Sequence, residues 1–160
     1  MLVLLYLMMM LWSIRVHGAN NSVVLKTMSL NYGKQVYPCL DELNLGQDVL
    51  TDFLYYWQED RQFTNKQVGC TVICVSKKLN LLDKAGRLSQ PDAEAYVKTA
   101  GGDDNLAKYL VYLYQSCQKV VNETEPCENA LQTTNCFRKA VQRAKYSPDV
   151  PVEVRQRSDG

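Results

Sequence analysis

Six cysteines limit what this chain can fold into more than any other feature. Cys39, Cys70, Cys74, Cys117, Cys127 and Cys136 are separated by 30, 3, 42, 9 and 8 residues. An even cysteine count in a short chain behind an apolar leader predicts a disulfide framework. Cys70 and Cys74 stand four apart, so on a helix they share one face and point the same way. They do not pair easily with each other, and each is expected to tie that helix to a different neighbour. Six cysteines allow 15 connectivities, and the residues alone do not choose among them. Closing a loop of about 35 residues is worth roughly 3–4 kcal/mol in the chain-entropy model.

The oxidising compartment that such a framework needs is signalled at the N-terminus. Met1 to Trp12 form an unbroken apolar run. Spanning a bilayer takes about 20 such residues, so the run is too short and fits the apolar region of a signal peptide. Small residues precede a cut after Gly18 or Ala19. Arg15 follows the apolar run instead of preceding it, and a membrane anchor is the alternative reading. The expected layout is a leader at 1–18, a helical domain at 19–147 and a polar tail at 148–160. The product is expected to be secreted and soluble.

Charge and histidine content remove several function classes. The chain has 18 basic and 17 acidic residues, and Arg15 is the leader's one charge, so the remainder balances at zero. No basic stripe with interleaved aromatics is present, which argues against nucleic-acid binding. The single histidine, His17, lies in the leader. The exported chain therefore has no Ser-His or Cys-His nucleophile pair, no His-ligated zinc site and no His general base. Its carboxylates are scattered singly among Lys and Arg, as on a solvated helical surface. No catalytic residue, cofactor or metal site is expected.

The rest of the pattern is helix after helix. Leu25, Met28, Tyr32 and Val36 recur at three- and four-residue intervals, the apolar face of a first helix. Pro38 is expected to kink or break it near Cys39. Val49, Phe53, Tyr56 and Trp57 repeat the motif after Gly46. Thr64 or Asn65 caps a third helix through Val68, Val72, Val75 and Leu79. Gly86 ends a connecting segment, and Pro91-Asp-Ala-Glu suits a helix start. Leu106, Tyr109, Leu110, Leu113 and Tyr114 mark a fifth helix, and Cys127 to Ala144 a sixth. No sustained period-two alternation appears, so the fold class is all-α. Asn20-Asn-Ser22 and Asn122-Glu-Thr124 are glycosylation sequons.

The cysteine spacing resembles that of the insect odorant-binding proteins. Four blocks bring it closer to the moth and butterfly pheromone-binding proteins and their near relatives, the general odorant-binding proteins. They are Ser29-Leu-Asn-Tyr-Gly-Lys34, Asp52-Phe53 with Trp57, Gly69-Cys70 through Cys74-Val-Ser76-Lys-Lys-Leu-Asn80, and Cys136-Phe137. The likeness covers residues 22–148. It implies a single domain of six helices, stapled by disulfides around a closed apolar cavity. It also implies the bridges Cys39–Cys74, Cys70–Cys127 and Cys117–Cys136. Tyr32 and Phe137 match the aromatics that flank the ligand chain. Phe53, Tyr56, Trp57, Val72, Ile73, Tyr96, Val111 and Tyr114 match other wall positions, and Ser76 matches a hydroxyl that bonds the ligand's polar head.

The implied function is to solubilise long-chain unsaturated alcohols, acetates or aldehydes in the lymph of olfactory hairs. Delivery would be to an olfactory receptor or a membrane surface, by a monomer or weak homodimer. Tyr32, Tyr56, Tyr96 and Tyr114 carry more phenolic hydroxyls than the resemblance usually shows. Buried tyrosines want partners, which points to a narrower or more polar cavity. In the best-known relatives histidines trigger acid release and an apolar tail enters the pocket. Here the matching positions hold Ser89, Gln90 and Gln115, and Pro148, Pro151, Arg155 and Arg157 oppose a buried tail helix. Acid release would instead depend on carboxylates such as Asp83, Asp149 or Glu153. The competing function class is a secreted helical signalling protein with a solid core. A third, a lipid-transfer or antimicrobial protein, would need a cationic amphipathic surface that the zero balance does not supply.

Overall fold

The computed structural model describes residues 21–148. The leader, its cleavage point, Asn20 and the tail from residue 149 onward lie outside the described residues. Within them the chain is all-helical: α1 (21–33), α2 (Val36–Leu43), α3 (Gln47–Leu54), α4 (Lys66–Lys78), α5 (Gln90–Thr99), α6 (Asp104–Val120) and α7 (Pro126–Arg143). α1 and α2 are one broken helix, so the described residues hold six helices in all.

The break falls earlier than Pro38. It lies at Lys34-Gln35, where the Gln35 amide bonds back to the Tyr32 carbonyl at 3.0 Å. Pro38 is the third residue of α2. The amides of a first helical turn have no intrahelical acceptor, so a missing N–H there costs nothing. α3 is also shorter than its apolar pattern. It stops at Leu54, and Tyr56 and Trp57 follow in a turn.

Local chemistry fixes the other starts. Asn65 caps α4, its side-chain oxygen accepting the Gln67 amide at 3.0 Å. Asp103 and Glu125 do the same for α6 and α7, accepting from Leu106 and Glu128 at 2.8 Å each. Pro91 and Pro126 occupy first-turn positions of α5 and α7. Between α4 and α5 a short loop is pinched by one antiparallel bridge between Leu82 and Leu88, and Gly86 supplies a φ of 75° at its turn.

α4 is the axle of the packing. Its most extensive neighbour is α7, and it also packs on α2 and α3. Three disulfides staple this arrangement. Cys39–Cys74 joins α2 to α4, Cys70–Cys127 joins α4 to α7, and Cys117–Cys136 joins α6 to α7. Cys70 and Cys74 thus tie one helix to two neighbours. At the α4–α7 crossing the Cys70 and Cys127 Cα atoms are 4.5 Å apart. Gly69 makes that approach possible, since a Cβ there would lie 1.8 Å from the Cys127 carbonyl oxygen.

Candidate functional site

The packed helices leave a space in their middle. A cavity of about 160 Å³ is walled by residues of α1 to α7 and the loops after α3 and α4. From α1 come Leu25, Met28, Ser29 and Tyr32, the same stripe that the sequence presents as one apolar face. Val36 continues it on α2. Phe53 projects from α3, Tyr56 and Trp57 from the turn after it, and Val72 and Ser76 from α4. Ala93, Tyr96 and Val97 come from α5, Leu110, Val111 and Tyr114 from α6, and Thr134 and Phe137 from α7. Leu81 and Leu88 close one side from the pinched loop. No charged side chain lines the cavity among the described residues.

Every predicted wall position lies in this lining except Ile73. Val72 and Ser76 are four apart and share the face of α4 that looks inward. Ile73 is turned about 100° away from Val72 and is only half-buried, so it packs elsewhere. The sequence reading also passed over several lining residues. Leu81 and Leu88 carry no periodic signal because they sit in a loop. Thr134 reads as an ordinary helical residue, although it stands three before Phe137 on the same face. Ser29 lies in the first of the blocks that carry the resemblance. Its hydroxyl donates to the Leu25 carbonyl at 2.8 Å and accepts the Trp57 indole N–H at 2.9 Å. That satisfies the indole and fixes the ring against the cavity.

The four tyrosines divide into two pairs. Tyr32 donates its hydroxyl to the Val72 carbonyl at 3.2 Å, and Tyr96 donates to the Met28 carbonyl at 2.7 Å. The hydroxyls of Tyr56 and Tyr114 have no hydrogen-bond partner among the described residues, yet neither oxygen is sealed in by protein. Both residues line the cavity. Tyr32, Tyr56 and Tyr114 are half-buried residues of the cavity wall.

Burial dominates the electrostatics. It pushes the Tyr32 phenol well above its ordinary 10; the Ser76 hydroxyl offsets part of this, and the phenols of Tyr114, Tyr56 and Tyr96 add to it. Burial raises Tyr56 and Tyr96 too, and in Tyr56 the charge of Arg138 works against it. Tyr114 is pushed up to about 12. All four therefore remain neutral hydroxyls across the physiological range.

Three side chains of α7 hold the segment that carries Tyr56 and Trp57. Asn135 grips the Phe63 backbone twice, accepting its N–H at 3.2 Å and donating to its carbonyl at 2.8 Å. Arg138 donates to the carbonyls of Tyr56 at 3.1 Å and Gln58 at 2.9 Å, and Gln142 donates to that of Trp57 at 3.1 Å. None of the three was singled out from the sequence.

Two of the three positions that the resemblance matched to histidines make local side-chain contacts. Ser89 flanks α5 and contacts the Asp92 carboxylate, and Gln90 donates to Glu94 at 2.9 Å. Asn122 is exposed in the loop before α7, open to a glycan.

A neutral apolar chamber inside a helical domain, rigidified by three staples, defines a small-molecule-binding domain. Comparison with known proteins gives its family. The family model described as PBP/GOBP matches residues 23–140, and the chain belongs to that family. Pheromone-binding protein 2 of Epiphyas postvittana is 35% identical over 130 residues, covering 81% of this chain and 79% of that protein. General odorant-binding protein 1 of Antheraea pernyi is 27% identical over 128 residues, covering 79% and 77%. The crystal structure of Epiphyas postvittana Pheromone Binding Protein 3 superposes with a TM-score of 0.63 at 36% identity. That match spans 69% of this chain and 95% of the solved one.

Proposed function

We propose that this protein is an extracellular carrier that binds hydrophobic odorants or pheromones in the central cavity and delivers them to olfactory receptors. The observation that carries the reading is the cavity itself: internal, predominantly apolar and without a charged wall residue. Relatives named for pheromone or odorant binding support the same role. A secreted signalling bundle would fill its core, and this one does not. Export through the expected leader suits the three disulfides. No helix of the described residues is long and apolar enough to cross a membrane.

The ligands expected from the resemblance are long-chain alcohols, acetates and aldehydes. Each buried methylene contributes about 0.8 kcal/mol, and the costs of association remove much of the sum. Ser76 is the hydroxyl assigned to the polar head, and Tyr32 and Phe137 flank the chain. The test is competition binding on the oxidised, leader-free protein. A fluorescent apolar probe should enter the cavity and be displaced by such ligands at about micromolar concentration. A protein that takes up no probe has a filled core, and the signalling role would replace this one.

A further inference from the structure

The zero charge balance of the exported chain hides a segregation of charge along the fold. Asp41, Glu42, Asp48, Asp52, Glu59 and Asp60 all fall within residues 35–60, which hold no Lys or Arg. Residues 105–122 and 129–148 hold no Asp or Glu, and they make up most of α6 and α7. We propose that the outer face of the α6–α7 pair docks on a membrane surface bearing anionic phospholipid. The inference names a surface for the delivery step of the carrier reading and, in that role, rests on it.

Two contacts fix the register of the pair. Cys117 is bonded to Cys136, and the Tyr109 and Tyr146 rings meet edge-on with centroids 5.8 Å apart. The helices therefore run antiparallel, which sets Tyr112 level with the turn from Lys139 to Arg143. Lys108, Tyr109, Tyr112 and Lys119 recur at helical spacing on the exposed side of α6. Lys139 and Arg143 follow Cys136 at three and seven residues, so they share its side of α7 and flank the seam. Lys145 extends the run just past the helix. Lys108, Lys119, Lys139, Arg143 and Lys145 are all exposed, and none makes an ion pair among the described residues.

Among these charges stand large apolar groups that the core does not use. Tyr112 is 64% exposed, Tyr109 40% and Val120 74%. A tyrosine ring has an apolar body and a polar tip, the combination that settles at the headgroup level of a bilayer. Lys and Arg lay their stems along apolar surface while their heads reach phosphate. An acidic protein would need the cations alone; the exposed rings and Val120 favour a headgroup layer. Each cation held near an anionic leaflet raises partitioning about 5-fold, so individually weak contacts add up. The acidic segment lies in other elements, α2, α3 and the turn after α3, and none of its carboxylates pairs with this face.

The test is flotation of the disulfide-intact chain with phosphatidylcholine vesicles, plain or carrying about 30 mol% phosphatidylserine. In about 0.02 M salt, partitioning onto the anionic vesicles should exceed that onto the plain ones about 10-fold or more, and about 0.5 M salt should abolish the difference. K139Q/R143Q should weaken the anionic binding about 10-fold or more, and Tyr112→Ser about 3-fold. K34Q/K84Q removes the same charge from exposed positions off the helix pair and should cost less than about 2-fold. Each variant should match the parent in its circular dichroism melt and in uptake of N-phenyl-1-naphthylamine. Equal binding to both vesicles, binding that survives high salt, or an equal loss in K34Q/K84Q overturns the inference. So does salt-sensitive self-association without vesicles that K139Q/R143Q abolishes, which would give the face to a second copy. In these cases the probe still enters and the carrier reading stands. Anionic vesicle binding by a protein that takes up no probe would keep the surface and remove the carrier.

Discussion

Arg138 is a fully buried cation with no carboxylate beside it among the described residues. Its Nη1 serves two carbonyls, its Nε and Nη2 have no partner, and its charge sits 4.6 Å from the Phe63 ring centre. Burial lowers its pKa, with the neighbouring charge of Arg61 adding to the effect. Carbonyl dipoles and an aromatic face thus replace an ion pair, and the arrangement pins the turn that carries Tyr56 and Trp57. Asn135 is the neutral half of the same clamp. Its replacement in Asn135→Ala strands one amide and one carbonyl of Phe63 in the interior. The variant should lose about 2–3 kcal/mol in urea denaturation and bind probe more weakly as the wall loosens. A stability within about 0.5 kcal/mol of the parent would show that the clamp does not hold this segment.

Between elements, the α4–α7 crossing depends on one missing methyl group. In Gly69→Ala the added carbon would meet the Cys127 carbonyl at 1.8 Å, a backbone atom that cannot swing aside. The two helices must separate, which opposes the Cys70–Cys127 bond. The expected outcome is a loss of about 3 kcal/mol or more and mixed disulfide species on refolding, read by non-reducing electrophoresis and thermal melts. Clean oxidation with an unchanged melting temperature would contradict this packing. Helix starts at Asn65 and Pro91 were legible in the sequence, because both act locally, Asn65 through a side chain that reaches its own first turn and Pro91 through its fixed backbone angle. The inward stripe of α1 was equally legible from its period. Periodicity misled where helices end. It carried α3 through Tyr56 and Trp57, which reach the cavity from a turn, and it could not say that Pro38 begins a helix. Ile73 entered by resemblance, and the rotation of α4 turns it out of the wall. Loop and α7 contributions such as Leu81, Leu88, Thr134 and Asn135 have no period to betray them, since tertiary contact alone gives them a role.

Across the whole molecule, charge and staples set the conditions under which the fold persists. Residues 18–160 contain no histidine. Four carboxylates have depressed pKa values: Glu42 and Asp104 through hydrogen-bonded Lys78 and Lys98, Asp83 through the backbone amides of Arg87 and Ala85, and Glu125 through that of Glu128. A depressed carboxylate stabilises the fold above its unfolded pKa and loses that contribution as pH falls through the folded value. Stability and ligand affinity should therefore be level from about pH 5 to 8 and fall below about pH 4. Asp83 organises the loop bearing Leu81 and Leu88, so that wall is the first expected to yield. A release midpoint near pH 6.5 in a titration would refute this. The bridges close spans of 35, 57 and 19 residues. At roughly 3–4 kcal/mol each they match the entire stability of an ordinary domain. The reduced and alkylated chain should accordingly show no cooperative melt by circular dichroism. The central chamber has a mechanical consequence as well. Its 160 Å³ of void amounts to roughly 100 mL per mole, the upper end of the volume change on unfolding. Hydrostatic pressure should therefore collapse the empty protein far more readily than the loaded one, and the spread between their half-unfolding pressures would gauge how completely a bound odorant fills the space.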